Sequence, residues 1–122
     1  MTKNEFLNNI IEKINIVEEF NIVAKEQEGS KEKIYKNIKF KGFKFLEFYE
    51  ETTSGAWCWA IYKAKSNKYI VLEEEFQGGY VSKYESYIKI FDNIEDVIKY
   101  MEKYYQLSFN SKLYELGFFE EV

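Results

Sequence analysis

The chain has 122 residues, of which 46% are apolar and 31% charged, with a net charge of -4, and this composition is typical of one compact domain spanning residues 1–122. It contains no His, no Pro and no Arg, because all 17 basic residues are Lys. The missing imidazole and guanidinium groups exclude Ser-His-Asp and Cys-His catalytic sites, His-containing metal sites and two-pronged recognition of guanine or phosphate.

The N-terminal segment carries the signals of an amphipathic helix. Thr2 and Glu5 have the spacing of a capping box, in which a hydroxyl and a carboxylate satisfy free amides at a helix start. The sequence predicts a helix from Lys3 to Gln27 that ends near Gly29, with residues 21–23 off its apolar stripe. That stripe consists of Phe6, Leu7, Ile10, Ile11, Ile14, Val17 and Phe20.

From Ile34 onward the apolar pattern changes to a period of two, which predicts strands. The phase slips near Gly42 and slips back at Leu46, so this region is either one kinked strand with a bulge or bend, or two short strands. Regularly spaced turns then predict an antiparallel meander of three to five strands. Turn-forming residues occur at 52–55, 65–68 and 77–79.

Two further helical segments follow the strands. Asn93 is a start signal, and an apolar stripe predicts a helix from Ile94 to about Tyr105. Residues from Asn110 to Leu116 predict a short helix that ends at Gly117, with the two following Phe residues packed on the core. The predicted fold class is therefore α+β: an N-terminal helix, an antiparallel β-meander, a helix packed on one sheet face and a short C-terminal element.

The single cysteine, Cys58, can form no disulfide within the chain. It lies in an apolar run, where a thiol lacks the electropositive, open surroundings that make it reactive, so we interpret it as buried and unreactive. In this run Trp57, Trp59 and Ile61 share one strand face, and Cys58, Ala60 and Tyr62 share the other.

Positive charge is concentrated in residues 31–44, which carry six Lys and one Glu, a net charge of +5, with aromatic residues between the lysines. This pattern is compatible with a surface that follows a phosphate backbone while stacking bases. It is equally typical of a strand whose solvent-facing lysines protect a sheet edge, which is the interpretation that we favour. The alternative hypothesis is a single-stranded nucleic-acid module that uses Lys36, Lys39, Lys41 and Lys44.

Carboxylates cluster at residues 47–51 and again at 73–75. A metal-dependent hydrolase would place Mg²⁺ on Glu47, Glu73 and Glu75, but adjacent strand residues point to opposite faces, so the second cluster offers only two convergent groups. We expect a solvated strand end and no metal site. The predicted role is recognition of a basic partner by Glu47, Glu50, Glu73 and Glu75.

Aromatic residues make up 20% of the chain, with 11 Tyr, 11 Phe and 2 Trp. Because Tyr supplies wide contact area at low entropy cost, binding surfaces are enriched in it, and we predict that Tyr80, Tyr84 and Tyr87 contact a partner. Either parity of this strand could face solvent. We expect the polar-rich parity to face outward, and it consists of Lys83, Glu85, Tyr87 and Lys89.

These observations favour a small acidic protein–protein interaction module over an enzyme, and we expect no cofactor. In size, charge and composition the chain is similar in kind to bacterial toxin-immunity proteins and phage-encoded inhibitors such as anti-CRISPR proteins, although no motif assigns it to a particular family. We expect a stoichiometric inhibitor or immunity-type protein that blocks a basic groove on its target. Exposed aromatic surface is also compatible with a homodimer.

The sequence also predicts the compartment. No apolar segment approaches the roughly 20 residues of a membrane span, and the N-terminus has a helix-capping signal where a secretory signal would have an apolar core. We therefore expect a cytoplasmic protein that does not enter a membrane.

Overall fold

The computed structural model describes residues 1–26, 35–78 and 83–121. Within these ranges, three helices and five strands form an α+β fold, which confirms the predicted class. The helices are α1 (Lys3–Glu12), α2 (Ile94–Tyr104) and α3 (Gln106–Glu115), and the strands are β1 (Glu18–Glu26), β2 (Tyr35–Thr52), β3 (Gly55–Ala64), β4 (Tyr69–Gln77) and β5 (Lys83–Phe91).

Local capping signals fix the starts of α1 and α2. The Thr2 hydroxyl accepts a hydrogen bond from the Glu5 N–H at 3.1 Å, and the Glu5 carboxylate accepts one from the Thr2 N–H at 3.2 Å. The Asn93 side-chain oxygen accepts one from the Asp96 N–H at 2.9 Å. Both predicted helix starts are confirmed, because each cap depends only on residues three positions apart.

The first helix is shorter than predicted, and β1 replaces its second half. α1 ends at Glu12, so the prediction of a helix through Gln27 is wrong. Phe20 fits both the spacing of a helical stripe and the period of two of a strand. The strand forms because this segment pairs with β2, and no local sequence pattern reveals that pairing. The predicted stop at Gly29 lies outside the described residues. The side chains of β1 that alternate toward the interior are Phe20, Ile22 and Ala24.

The strands form an antiparallel meander that closes into a small barrel in the order β1-β2-β3-β4-β5. Each strand reverses the direction of the one before, so an odd number of strands leaves the first and last parallel. β1 and β5 accordingly meet in parallel, with Lys25 opposite Tyr87 and Glu26 opposite Ile88. The predicted meander is confirmed; its closure depends on β1 and was not predicted.

β2 is long and contributes to both sides of the barrel. Its first part pairs with β1 as far as Gly42, and its second part, from Gly42 to Thr52, pairs with β3. At the changeover, a Cβ on Gly42 would lie 2.1 Å from the Lys63 carbonyl oxygen, so a side chain does not fit. The pairing with β3 then shifts between Lys44 and Leu46, which confirms the predicted irregularity within one strand.

The second part of β2 and strands β3 to β5 form a sheet with a different layer on each face. We call the side toward the three helices the helix-side face and the opposite side, which packs against β1 and the first part of β2, the inner face. The predicted alternation along β3 is confirmed, because Trp59 and Ile61 belong to the helix-side cluster and Ala60 and Tyr62 to the inner one. The inner cluster also contains Ala24, Ala64, Ile70, Leu72 and Ile88.

The C-terminal helix begins earlier than predicted. α3 starts at Gln106. Its N-cap residue, Tyr105, makes no side-chain capping hydrogen bond, so no sequence pattern marked this start. Gly117 ends it with φ at 106°, as predicted. Phe118 is buried against Phe6, but Phe119 is exposed, which corrects the prediction that both rings pack on the core. None of the helices in the described ranges is long and apolar enough to cross a bilayer.

Candidate protein-binding surface

One end of the inner face carries exposed aromatic and acidic side chains. The strand register places Tyr49, Cys58 and Glu74 in one row across β2, β3 and β4. A second row, one step further out, contains Phe76 and Tyr84. Tyr49 is 68% exposed and Tyr84 57% exposed, in contrast to the buried inner cluster nearer β1. We call these five residues the open face.

Tyr84 is held in place at the outer end of the open face. Its hydroxyl donates a hydrogen bond to the Glu74 carboxylate, and its ring lies 5.0 Å from the Phe76 ring between centroids. The hydrogen bond to Glu74, with a smaller contribution from burial, raises the pKa of Tyr84 from 10.0 to about 12. At neutral pH the open face therefore presents a neutral phenol beside a carboxylate.

Cys58 lies half-buried at the centre of the open face. Burial raises the pKa of its thiol, and the Glu74 and Glu47 carboxylates raise it further. Because the thiolate is the reactive form, the raised pKa keeps the sulfur protonated at neutral pH. The cysteine was predicted to be buried and is half-buried; its low reactivity stays a prediction. Beside it, Glu47 accepts a hydrogen bond from Lys44, and that bond raises the pKa of the lysine.

The residues predicted to bind a partner lie on two faces. Glu47 and Tyr84 lie on the inner face, where the open face is found. Glu50 and Glu75 both pair with Trp57, one from β2 and the other from β4. Because paired residues share a face, both lie on the helix-side face. Tyr80 lies outside the described residues. The predicted set therefore does not form one continuous surface.

Tyr87 is also placed differently from the prediction. It is 6% exposed and lies on the helix-side face, where its hydroxyl donates a hydrogen bond to Glu85. Burial, followed by this bond, raises the pKa of Tyr87 to about 12. The prediction that Tyr87 faces solvent is wrong. Tyr87 and the other residues of its parity on β5 lie on the helix-side face, which the helices cover and where Lys25 pairs with Glu85.

Glu73 is buried, at 2% exposure, and is not part of a solvated strand end. Its carboxylate interacts with the phenol of Tyr105, whose ring lies 4.9 Å from that of Trp59. Burial and this interaction raise the pKa of Tyr105 well above its ordinary value. The sequence contained a signal for this burial, because Glu73 shares the parity of Tyr69 and Val71, the apolar side chains of the helix-side face.

The carboxylates considered for Mg²⁺ do not converge. Glu73 and Glu75 lie on the helix-side face, whereas Glu47, opposite Ala60, lies on the inner face. Across the described part of the chain, no group of three or more His, Cys, Asp or Glu side chains has the geometry to hold a metal ion.

The lysines of the predicted nucleic-acid segment are largely paired with glutamates. Lys36 pairs with Glu26, and Lys41 lies 3.6 Å from Glu19 between charged atoms. Lys44 pairs with Glu47, while Lys39 is exposed beside the first part of β1. The segment is therefore locally neutralised where the structure describes it.

Sequence reasoning missed three members of the open face: Tyr49, Glu74 and Phe76. Tyr49 shares the parity of Glu47 and could have been grouped with it from the period of two. For Glu74 and Phe76 the parity was also available. The sequence did not show which face of β4 the helices cover, and this decides which parity remains accessible.

Comparison with known proteins adds no relative to this description. No protein-family model, no curated protein and no solved structure matches the chain.

Proposed function

We propose that this protein is a small cytoplasmic protein–protein interaction module, a stoichiometric inhibitor or immunity-type protein whose open face blocks a basic groove on its target. One observation carries the proposal: exposed aromatic rings from β2, β4 and β5 share a face with carboxylates. Tyr and Phe anchors beside an acidic rim are the chemistry that binds a positively charged, partly apolar groove.

The charge of the chain supports the same kind of partner. A net charge of -4 favours encounter with a basic surface. Glu74 lies beside Cys58 and adds local negative charge to the open face, whereas the charge of Glu47 is offset by Lys44. The nucleic-acid alternative is less well supported, because the glutamates that pair with Lys36, Lys41 and Lys44 offset the charge that a phosphate backbone would need.

The test is capture of the partner from a lysate of the native host with the intact protein, followed by calorimetric titration of the purified pair. We expect one-to-one binding that weakens as salt rises, because the rim contacts are electrostatic. Binding to RNA or single-stranded DNA alone, or turnover of a substrate, would contradict the proposal.

Variants connect the binding to the open face. The double variant Tyr49→Ser and Tyr84→Ser should lower the affinity by about thirtyfold for each ring removed, since truncation of a central aromatic anchor costs about 2 kcal/mol. The matched control is Tyr114→Ser, which removes a ring that is also exposed but lies on α3 against Phe118. Equal losses in the double variant and the control would remove the open face from the proposal.

A further inference from the structure

The second part of β2 has a strand neighbour on one side. From Gly42 to Thr52 it pairs with β3, whereas β1 pairs with β2 only as far as Gly42. In the ranges that the structure covers, no strand lies on the other edge of residues 43–52. The backbone donors and acceptors of this edge therefore point away from the sheet.

A groove of about 970 Å³ runs along this edge, between β2 and α3. Four consecutive residues of β2, Glu47 to Glu50, line it. Because successive strand side chains point to opposite faces, a cavity that contacts four in a row reaches both faces of the strand around its edge. Cys58 of β3 also lines the groove, so it continues from the edge of β2 onto the inner face.

The groove combines apolar and acidic chemistry. On the α3 side it is lined by Leu107, which is 84% exposed and has no apolar cover, and on the β2 side by Tyr49. Three carboxylates line it: Glu115 pairs with the Lys112 ammonium group at 3.3 Å and Glu47 with that of Lys44, so Glu50 is the carboxylate without an ammonium partner among the described residues. Ser108 donates a hydrogen bond to Glu50 at 2.6 Å, which fixes one carboxylate between the strand and the helix.

We propose that an extended, lysine- or arginine-bearing segment of the protein partner binds in this groove as an added strand on the edge of β2. The main chain of β2 would supply the ladder hydrogen bonds, Tyr49 and Leu107 would contact alternate apolar side chains, and the carboxylate excess would select basic ones. A second copy of this chain fits less well, because edge-to-edge pairing would bring the Glu47–Glu50 carboxylates of both copies together. The inference rests on the proposed function and identifies how the partner binds.

The test uses a capped peptide of about eight alternating Val and Lys residues, long enough for one strand, titrated into the isotope-labelled protein. We expect shifts of backbone amide signals in residues 45–51 and slower hydrogen exchange there. A second peptide with alternate backbone nitrogens methylated keeps the charge but loses the ladder donors, and it should not bind. Equal binding of the two peptides, shifts confined to another surface, or no binding at all would overturn strand addition.

A variant of α3 provides a second readout. Leu107→Lys adds a cation to the groove at an exposed position and should weaken peptide binding by about tenfold through like-charge repulsion. Phe119→Lys adds the same charge at an exposed position that does not line the groove and should leave binding unchanged. If sedimentation shows a dimer of the free chain that Leu107→Lys dissociates, the groove binds a second copy and the proposed occupant is wrong.

The two proposals fail in different ways. If the partner binds through Tyr84 and is insensitive to Leu107→Lys, the proposed function stands and strand addition does not. If the peptide binds the groove but no partner depends on the open face, the groove stands and the proposed function does not.

Discussion

The hydrogen bond from Tyr84 to Glu74 gives a test at the scale of single residues. The raised pKa of Tyr84, about 12, depends first on its hydrogen bond to Glu74. Glu74→Gln should therefore lower the pKa of Tyr84 toward 10, as measured by NMR titration of the tyrosine ring signals, with Tyr84→Phe to assign them. An unchanged pKa would mean that the bond does not persist in solution.

The same pair has a defined effect on stability. Between pH 10 and pH 12 the phenol is ionised in the unfolded chain but neutral in the folded one, so the stability that it contributes is complete below pH 10 and is lost as the pH rises to about 12. Glu74→Gln should make unfolding less sensitive to pH in that range.

A second prediction at this scale concerns the buried carboxylate. Tyr105→Phe removes the hydroxyl that interacts with the Glu73 carboxylate while keeping the ring against Trp59, and the loss should cost about 1–3 kcal/mol of unfolding free energy. Tyr104→Phe is the control, because Tyr104 is exposed, and its cost should stay within about 0.5 kcal/mol. Urea denaturation measures both variants. Equal stabilities would show that the Tyr105–Glu73 interaction does not contribute.

At the scale of an element, the bend in β2 depends on Gly42. Gly42→Ala would bring a Cβ to 2.1 Å from the Lys63 carbonyl oxygen, so either strand must move, and we expect a loss of about 3 kcal/mol. Gly78→Ala is the matched control, since the added Cβ would lie 3.6 Å from the Ser54 oxygen, an ordinary contact. Thermal unfolding should separate the two variants clearly; a Gly42→Ala protein as stable as the control would contradict the steric account.

The ends of helices were predictable from the sequence where interactions between neighbouring residues determine them. The caps at Thr2 and Asn93 and the stop at Gly117 involve neighbours a few residues apart, and each was found. β1 was missed because its apolar spacing is ambiguous and only its pairing with β2, some twenty residues away, resolves it. The start of α3 has no side-chain cap and left no signal.

At the scale of the whole molecule, the barrel closes where β1 meets β5. Among the described residues this seam has two residue pairs, supported by the Ser86–Val23 hydrogen bond at 3.3 Å and the Lys25–Glu85 ion pair at 3.4 Å. β3, in contrast, pairs along its length with β2 and β4. We expect β1 amides to exchange hydrogen faster than β3 amides in native-state exchange followed by NMR. Equal protection would indicate that the barrel opens only by global unfolding.

The candidate surface was predictable only in part, for a reason that belongs to the whole fold. Strand parity identifies which residues of one strand share a face, so Glu74 with Phe76 and Glu47 with Tyr49 were within reach of sequence reasoning. Whether a face is covered depends on where the helices and β1 pack, which is long-range information. This is why Glu73 and Tyr87, predicted to contact a partner, are buried.

The position of Cys58 has a practical consequence. Because it is the single cysteine of the chain and lies half-buried among the open-face side chains, a thiol-directed dye or spin label attaches at one known place without mutagenesis. Its raised pKa means that labelling is slow at neutral pH and accelerates in alkaline buffer. An arriving target that covers the surrounding strands would shield the sulfur, so the rate of alkylation reports occupancy directly.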